Sequence, residues 1–443
     1  MLAGWRAPSG QAAWLTSTGG SPGSPSPHSA RSPPSRSTTW LTRHLGRAPL
    51  DALALATSAL SIVVWLAIFL TTATTTAVAR HAARGEHHLA GRVVGAAYAV
   101  AAGWGMVTTA VVALIAPPVV TLLGGHAGSA AAATSYIRIA ALGLPFVYLS
   151  YAGNGHLTGL ENTRTPLRIA VGANLLNVAL EVWLVFGLHL GLAGSAWGTV
   201  AAQVAAAAAY GHASRRSATP PARPGWADIA PLLRDGQRLS VRTIALGAVP
   251  LAATAVTARL GPVPLAGQQI AYRVWTLLSL STDALAVPAQ VFVSAALGRG
   301  DRQAAERAAH RTVVLGLVAG IVLGVLTAAL SLLAPAAFTS DPAVRSAAVT
   351  GLLCAALTQP LAALAFVYDG VILGLGDYAA MRRAMIVSIA AFVPLATLVL
   401  RFHWLGLPCV WLALGCWLAA RTVLLWRRWA DSAAAAGSGA RRL

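Results

Sequence analysis

The stretch TVVLGLVAGIVLGVLTAALSLLAPAA, Thr312–Ala337, runs 26 residues without a charged side chain. A bilayer core takes about 20 apolar residues as a helix. The run is apolar on every side rather than along one stripe, which suits a helix facing lipid. Runs of the same kind recur at 52–79, 93–116, 133–157, 168–187, 191–212, 239–258, 265–297, 344–373, 385–400 and 404–426, so eleven spans are expected. The whole chain is 56% hydrophobic and 10% charged, where a soluble domain carries about a quarter charged residues. These observations predict an all-α integral membrane protein.

The remaining charge is a formal net +19, and every fixed cation is Arg. The Arg residues fall in alternate connections, among them Arg80, Arg84 and Arg92, then Arg164 and Arg168, then Arg299, Arg302, Arg307 and Arg311, then Arg427 and Arg428. The intervening segments 117–132 and 188–190 have none. The positive-inside rule places the Arg-rich set and the C-terminus in the cytoplasm, in a multi-pass plasma (inner) membrane arrangement. Anionic lipid headgroups rather than nucleic acid are the expected partners of these cations. Cys354, Cys409 and Cys416 lie inside apolar runs, with neither disulfide nor metal-ligand spacing.

The two halves of the chain match at one offset. Pro145 pairs with Pro360, and 360 − 145 = 215; the same offset joins Gly155 to Gly370, Gly159 to Gly374, Leu160 to Leu375, and Arg84-Gly85-Glu86 to Arg299-Gly300-Asp301. This is the mark of a tandem duplication with parallel repeats. The expected organisation is an aberrant, disordered segment 1–42, an N-terminal bundle 43–212, a Pro- and Arg-rich linker 213–238, a C-terminal bundle 239–426 and a tail 427–443. The helix 239–258 would match 24–43, which reads Ser-Pro-Ser-Pro-His and cannot span, so the first bundle is expected to lack its first helix or to carry a wrong start.

Three carboxylates stand inside apolar runs: Glu181, Asp283 and Asp369. A carboxylate at the bilayer centre costs about 3 kcal/mol on insertion scales, so each is a candidate functional group. Asn174, Asn177 and Glu181 are spaced three and four apart, on one helix face, and suit a cation site, with Na⁺ at Asn177 and Glu181. The plain alternative is an interhelical hydrogen-bond cluster. Asp283 shares its helix with Gln290; its plain alternative is an ion pair with Arg273 or Arg138. Asp369 alternatively snorkels to water from a helix end. A buried carboxylate that exchanges a proton for a cation is the minimum device for antiport. His156 and His126 are expected at interfaces, and Trp404, Trp411, Trp426 and Trp429 are expected to include aromatic-belt anchors.

At these residues the chain resembles the multidrug and toxic compound extrusion (MATE) family, in its DNA-damage-inducible-F-like (DinF) subgroup. The resemblance lies in 155–181, 191–203 (Gly-Leu-Ala-Gly-Ser-Ala-Trp-Gly through Gln203), 265–301 (Leu-Ala-Gly-Gln-Gln-Ile-Ala through Gly300-Asp301) and 364–377, and covers about 43–426. It implies two pseudo-symmetric six-helix bundles with a central cavity, and export of cationic or amphipathic compounds, such as drugs and toxic metabolites, in exchange for H⁺ or Na⁺ by alternating access. It also implies a monomer without cofactor. Asn177 and Glu181 match the family's Asn and Asp on its fifth helix, with Glu for Asp; Asp283 and Asp369 match acidic positions of the second bundle. The family's first-helix Asp falls on Thr38, so that site is expected to be incomplete.

A lipid-linked oligosaccharide flippase of the same superfamily would want a cationic cavity, for which Arg138 and Arg273 are the expected candidates. A truncated, non-functional transporter is the third expectation. An enzyme is not expected: the chain has no His-Glu-x-x-His and no Lys for a phosphate-binding loop.

Overall fold

The computed structural model describes residues 60, 63–64, 67–122 and 127–440, with the side chains of 127–129, 279–280, 283 and 433–440 left aside. The expectations for segment 1–42 and for His126 lie outside the described residues. Apolar segments in lipid must satisfy their backbone internally, and these do so as α-helix. The helices are α1 (Ile68–Ala83), α2 (His87–Leu122), α3 (Ala127–Ala141), α4 (Leu144–Gly159), α5 (Arg164–Val182), α6 (Gly191–Arg215), α7 (Trp226–Ala258), α8 (Pro262–Gly298), α9 (Arg302–Phe338), α10 (Pro342–Leu375), α11 (Tyr378–Arg401) and α12 (Gly406–Ala440). A π-helical turn, Trp183–Gly187, extends α5, and a 3₁₀ turn, His403–Leu405, precedes α12. Every expected run from 93 onward falls on these elements; 133–157 is broken between α3 and α4 by 42°. Among the described residues eight helices are long and apolar enough to cross a membrane, nine if the bent pair counts as one.

Asp side chains start three helices: Asp301 accepts from the Ala304 N–H, Asp341 from Ala343 and Val344, and Asp377 from Ala380. The duplication is visible in the backbone. Left-handed residues recur at the 215 offset: Gly85 (φ 75°) with Gly300 (φ 73°), Glu161 (φ 61°) with Gly376 (φ 76°), and Gly191 (φ 56°) with Gly406 (φ 61°). Within these pairs Glu161 alone carries a Cβ, at a position its counterpart gives to Gly.

The chain divides into two compact units, one of residues up to Thr74 with His88–Leu232, the other of Thr75–His87 with Leu233 onward. The first unit buries Val112, Ile137, Ala141 and Leu144 as its core. The second buries Leu352, Phe392, Val410, Trp411 and Trp417. Residues 75–87 belong to the second unit because they cap its helix ends. Thr76 Oγ1 donates to the Leu373 carbonyl at 3.0 Å, Arg80 to Gly374 and Leu375 at 3.1 Å each, and Arg84 to Gly298 at 3.0 Å. These carbonyls end α10 and α8, where helical donors run out; at Leu373 the threonine adds to the Gly376 N–H of the C-cap.

The linker is shorter than its composition suggests, because 226–238 is the start of α7. Asp228 fixes that start by accepting from the Gly225 N–H at 2.7 Å and from Arg92 at 2.8 and 3.0 Å. The non-helical part lies as a strap on α2: the Ala222 N–H donates to the Gly91 carbonyl at 2.9 Å. His156 is fully buried, with Nδ1 2.9 Å from Ser214 Oγ and Nε2 2.8 Å from Thr219 Oγ1, and so fastens the strap to α4. Gly95 makes the approach possible, since a Cβ there would stand 1.9 Å from the Ala222 carbonyl oxygen. Gly95→Val is therefore expected to destabilise the purified protein by about 1–3 kcal/mol, the usual scale of overpacking. Gly103→Ala on the same helix, where a Cβ meets nothing within 4 Å, is expected to leave the melting temperature unchanged.

Candidate functional site

Glu181 sits in the last turn of α5, one turn past Asn177 and two past Asn174. The helix places these three residues as their spacing predicts, and Asn177 and Glu181 find their partners on a neighbouring helix. Ser195 Oγ on α6 donates to Glu181 Oε1 at 3.1 Å. Asn177, 5% exposed, donates from Nδ2 to Thr199 Oγ1 at 3.3 Å, and Thr199 Oγ1 donates to the Ser195 carbonyl at 3.1 Å. The Tyr136 hydroxyl on α3 sits beside Ser195, Thr199 and Glu181. Gly198 keeps α5 and α6 close, because a Cβ there would lie 3.3 Å from the Glu181 backbone nitrogen. Asn174 donates to the Ala170 carbonyl of its own helix at 2.8 Å.

The result is one carboxylate, one amide and three hydroxyls gathered inside the first unit. Oxygen donors of this kind suit a proton or a hard cation. No cluster of three or more His, Cys, Asp or Glu stands together among the described residues, so a transition metal has no ligand set there.

The duplication supplies an internal control. Adding 215 to Asn177, Glu181, Ser195 and Thr199 gives Phe392, Ala396, Val410 and Leu414. All four counterparts are buried in the apolar core of the second unit. The same fold is thus built without any polar group at these places. The network in the first unit is not a requirement of packing.

Asp369 corrects the expectation made for it. It does not snorkel to water: it is fully buried. Arg242 on α7 binds its Oδ2 through Nε at 3.0 Å and Nη2 at 2.7 Å. Arg421 on α12, itself fully buried, binds Oδ1 through Nε at 3.1 Å and Oδ2 through Nη2. Arg421 also stands over the rings of Phe366 and Trp417, at 5.3 and 5.8 Å. With two guanidinium groups bound to it, the carboxylate is neutralised by charge-assisted pairs, and protonating it would weaken both. The geometry makes Asp369 the centre of a buried ion-pair cluster with Arg242 and Arg421.

Gln290, 5% exposed, donates to Thr76 Oγ1 at 2.8 Å and so joins the clasp at the end of α10. Asp283 lies on α8; its side chain is outside those described. The intramembrane cations are also corrected. Arg138 is exposed and turns Nε to the Ala113 carbonyl at 3.3 Å, whereas the buried cation is Arg421, an isolated charge inside the run 404–426 that the sequence itself displays. Trp411 is core rather than belt, 2% exposed and edge-on to Trp275 at 6.3 Å. Tyr136, Ser195 and Thr199 have no local spacing that marks them, but comparison of the two halves would have done so.

A family model described as MatE matches residues 35–183 and 240–399. The chain is similar to Protein DETOXIFICATION 43 of Arabidopsis thaliana, 32% identical over 292 residues, covering 66% of this chain and 55% of that protein. It is similar to DNA damage-inducible protein F of Escherichia coli (strain K12), 28% identical over 292 residues, covering 62% of this chain and 61% of that one. The chain thus spans little more than half the length of these relatives. Among solved structures it shares the fold of a MATE protein crystallised in a bent conformation, with a TM-score of 0.82 at 19% identity, covering 90% of this chain and 91% of that one.

Proposed function

The chain belongs to the MatE family, and from that premise we propose that it is a secondary transporter, not an enzyme, which exports cationic or amphipathic organic compounds in exchange for H⁺ or Na⁺ by alternating access. The coupling ion is taken at Glu181, with Asn177, Ser195, Thr199 and Tyr136 around it. The observation that carries this is the contrast between the two halves: the oxygen-rich network occupies positions that are apolar core in the repeat. A polar cluster inside membrane spans is costly, and one that the fold can do without is kept for what it binds. Asp369, locked by Arg242 and Arg421, takes no part in ion exchange. The Arg-rich turns support a plasma-membrane setting with the C-terminus in the cytoplasm, and the chain works as a monomer without cofactor.

The test is transport by the full chain in liposomes loaded with a fluorescent organic cation. Dye movement that requires an imposed pH or Na⁺ gradient, and names the ion by which gradient works, is the expected result. Movement indifferent to both gradients, or none under either, refutes the exchange reading.

A further inference from the structure

The break between α3 and α4 bends the helix by 42°, and its chemistry is complete. Pro145 has no N–H, so the Ala141 carbonyl four residues earlier loses its donor. Thr109 Oγ1 on α2 takes that place at 2.8 Å. The Leu142 and Gly143 N–H groups turn to carbonyls three residues back, Ile139 at 3.1 Å and Ala140 at 3.0 Å, and Phe146 and Val147 both donate to the Gly143 carbonyl. A Cβ at Gly143 would stand 1.8 Å from Gln203 Oε1 on α6. The α4 side is anchored: Gly105 brings α2 against Pro145, where a Cβ would lie 2.5 Å from the Pro145 Cα, and the Tyr148 hydroxyl donates to the Val63 carbonyl at 3.1 Å.

The repeat keeps the proline and loses the break. Pro360 lies inside the unbroken α10, Pro342–Leu375, and the counterpart of Gly143 is Thr358, since 143 + 215 = 358. The joint and the Glu181 network therefore occur together in the first half, and both are missing from their counterpart positions in the second. One residue connects them: Tyr136, seven residues before the joint on α3, is buried in the core that α3 shares with Ala196 of α6, with its hydroxyl beside Ser195 and Thr199, and its counterpart is Gly351, since 136 + 215 = 351.

We propose that Tyr136 is a positioning residue that ties the α3 arm to the occupancy of Glu181, and that the break at Leu142–Gly143 is the joint on which that arm moves. The inference rests on the reading of Glu181 as the coupling group. An ion or proton at Glu181 competes for the same hydroxyls that hold Tyr136, so its arrival loosens the arm and its departure restores it. The titratable groups gathered at the site are Glu181 on α5 and Tyr136 on α3, α6 presenting hydroxyls; nearby in sequence, Arg138 on α3 is exposed and turned to the Ala113 carbonyl, and His189 lies in the exposed turn after α5. Arg164 and Arg168 lie at the far end of α5, about 20 Å away by helical rise.

The experiment places spin labels at Ala131→Cys on the α3 arm and Glu161→Cys beyond α4, both exposed, in the full chain with Cys354, Cys409 and Cys416 changed to Ser. Electron–electron distances are then measured with and without Na⁺, and at acid and alkaline pH. Arms of about 15 and 26 Å give a shift on the order of 2–3 Å if the bend straightens. The distance is expected to follow the coupling ion, to become fixed in Glu181→Gln, and to lose its response in Tyr136→Phe even at ion concentrations that saturate that variant, whose own ion affinity is measured alongside. A second variant, Gly143→Ala, is expected to hold one distance under all conditions. A distance that follows the ion in Tyr136→Phe as in the wild type, or that never responds, overturns the proposal. A response that persists in Glu181→Gln removes Glu181 as the trigger and sinks the coupling reading itself.

Discussion

Glu181→Gln is expected to reduce gradient-driven efflux to the level of protein-free liposomes while the protein folds and inserts as before. The amide keeps the shape and can still accept from Ser195, so the network survives; what it loses is the charge. An uncharged group cannot alternate between a proton and a cation, and without that exchange the gradient has nothing to push. Glu181→Asp keeps the charge on a shorter stem and is expected to retain part of the activity. The comparison separates charge from packing, because Glu181→Ala would disturb both. Efflux in Glu181→Gln at the wild-type rate would remove the site from the mechanism.

Arg421→Leu is expected to act on stability instead. Both it and Asp369 are fully buried, and removing one partner of a buried, hydrogen-bonded charge pair costs about 3–5 kcal/mol. The measurable result is a lower melting temperature and a smaller folded yield in detergent. Asp369→Asn is expected to shift stability in the same direction, and the fraction that folds is expected to respond to the coupling ion as the wild type does. An Asp369→Asn protein of wild-type stability that has lost ion-coupled efflux would overturn the lock assignment and return Asp369 to the coupling machinery.

The fold was legible because lipid imposes a simple code. An apolar run long enough to cross the bilayer has few alternatives to a helix, and the matched turns at 84–86 and 299–301 announced the duplication before any coordinate. The linker misled, since Pro220, Pro221 and Pro224 drew the eye past Asp228, which caps α7 through Gly225 and Arg92. The site was half legible. Spacing on one helix gathered Asn177 and Glu181, but Ser195, Thr199 and Tyr136 come from other helices, and interhelical register is set by packing rather than by local pattern.

Asp369 shows the same limit. Its partners stand 127 and 52 residues away, so no local pattern reveals the two arginines that meet it. His156 and Trp411 are buried, and their partners, Ser214 and Thr219 in one case and Trp275 in the other, lie far along the chain where no local pattern marks them. The repeat offset carried more than was first drawn from it. Where one half places Glu181 and Gly143 and the other places Ala396 and Thr358, the difference itself marks the residues that do more than pack.

The most direct measurement is ion release on substrate binding. Purified protein in weakly buffered solution, or preloaded with radioactive Na⁺, is mixed with a transported organic cation, and the protons or Na⁺ set free are counted per protein. Stoichiometric release by the wild type and none by Glu181→Gln is expected if substrate and ion compete through this carboxylate. Equal release by both proteins, or substrate binding without release by the wild type, contradicts it.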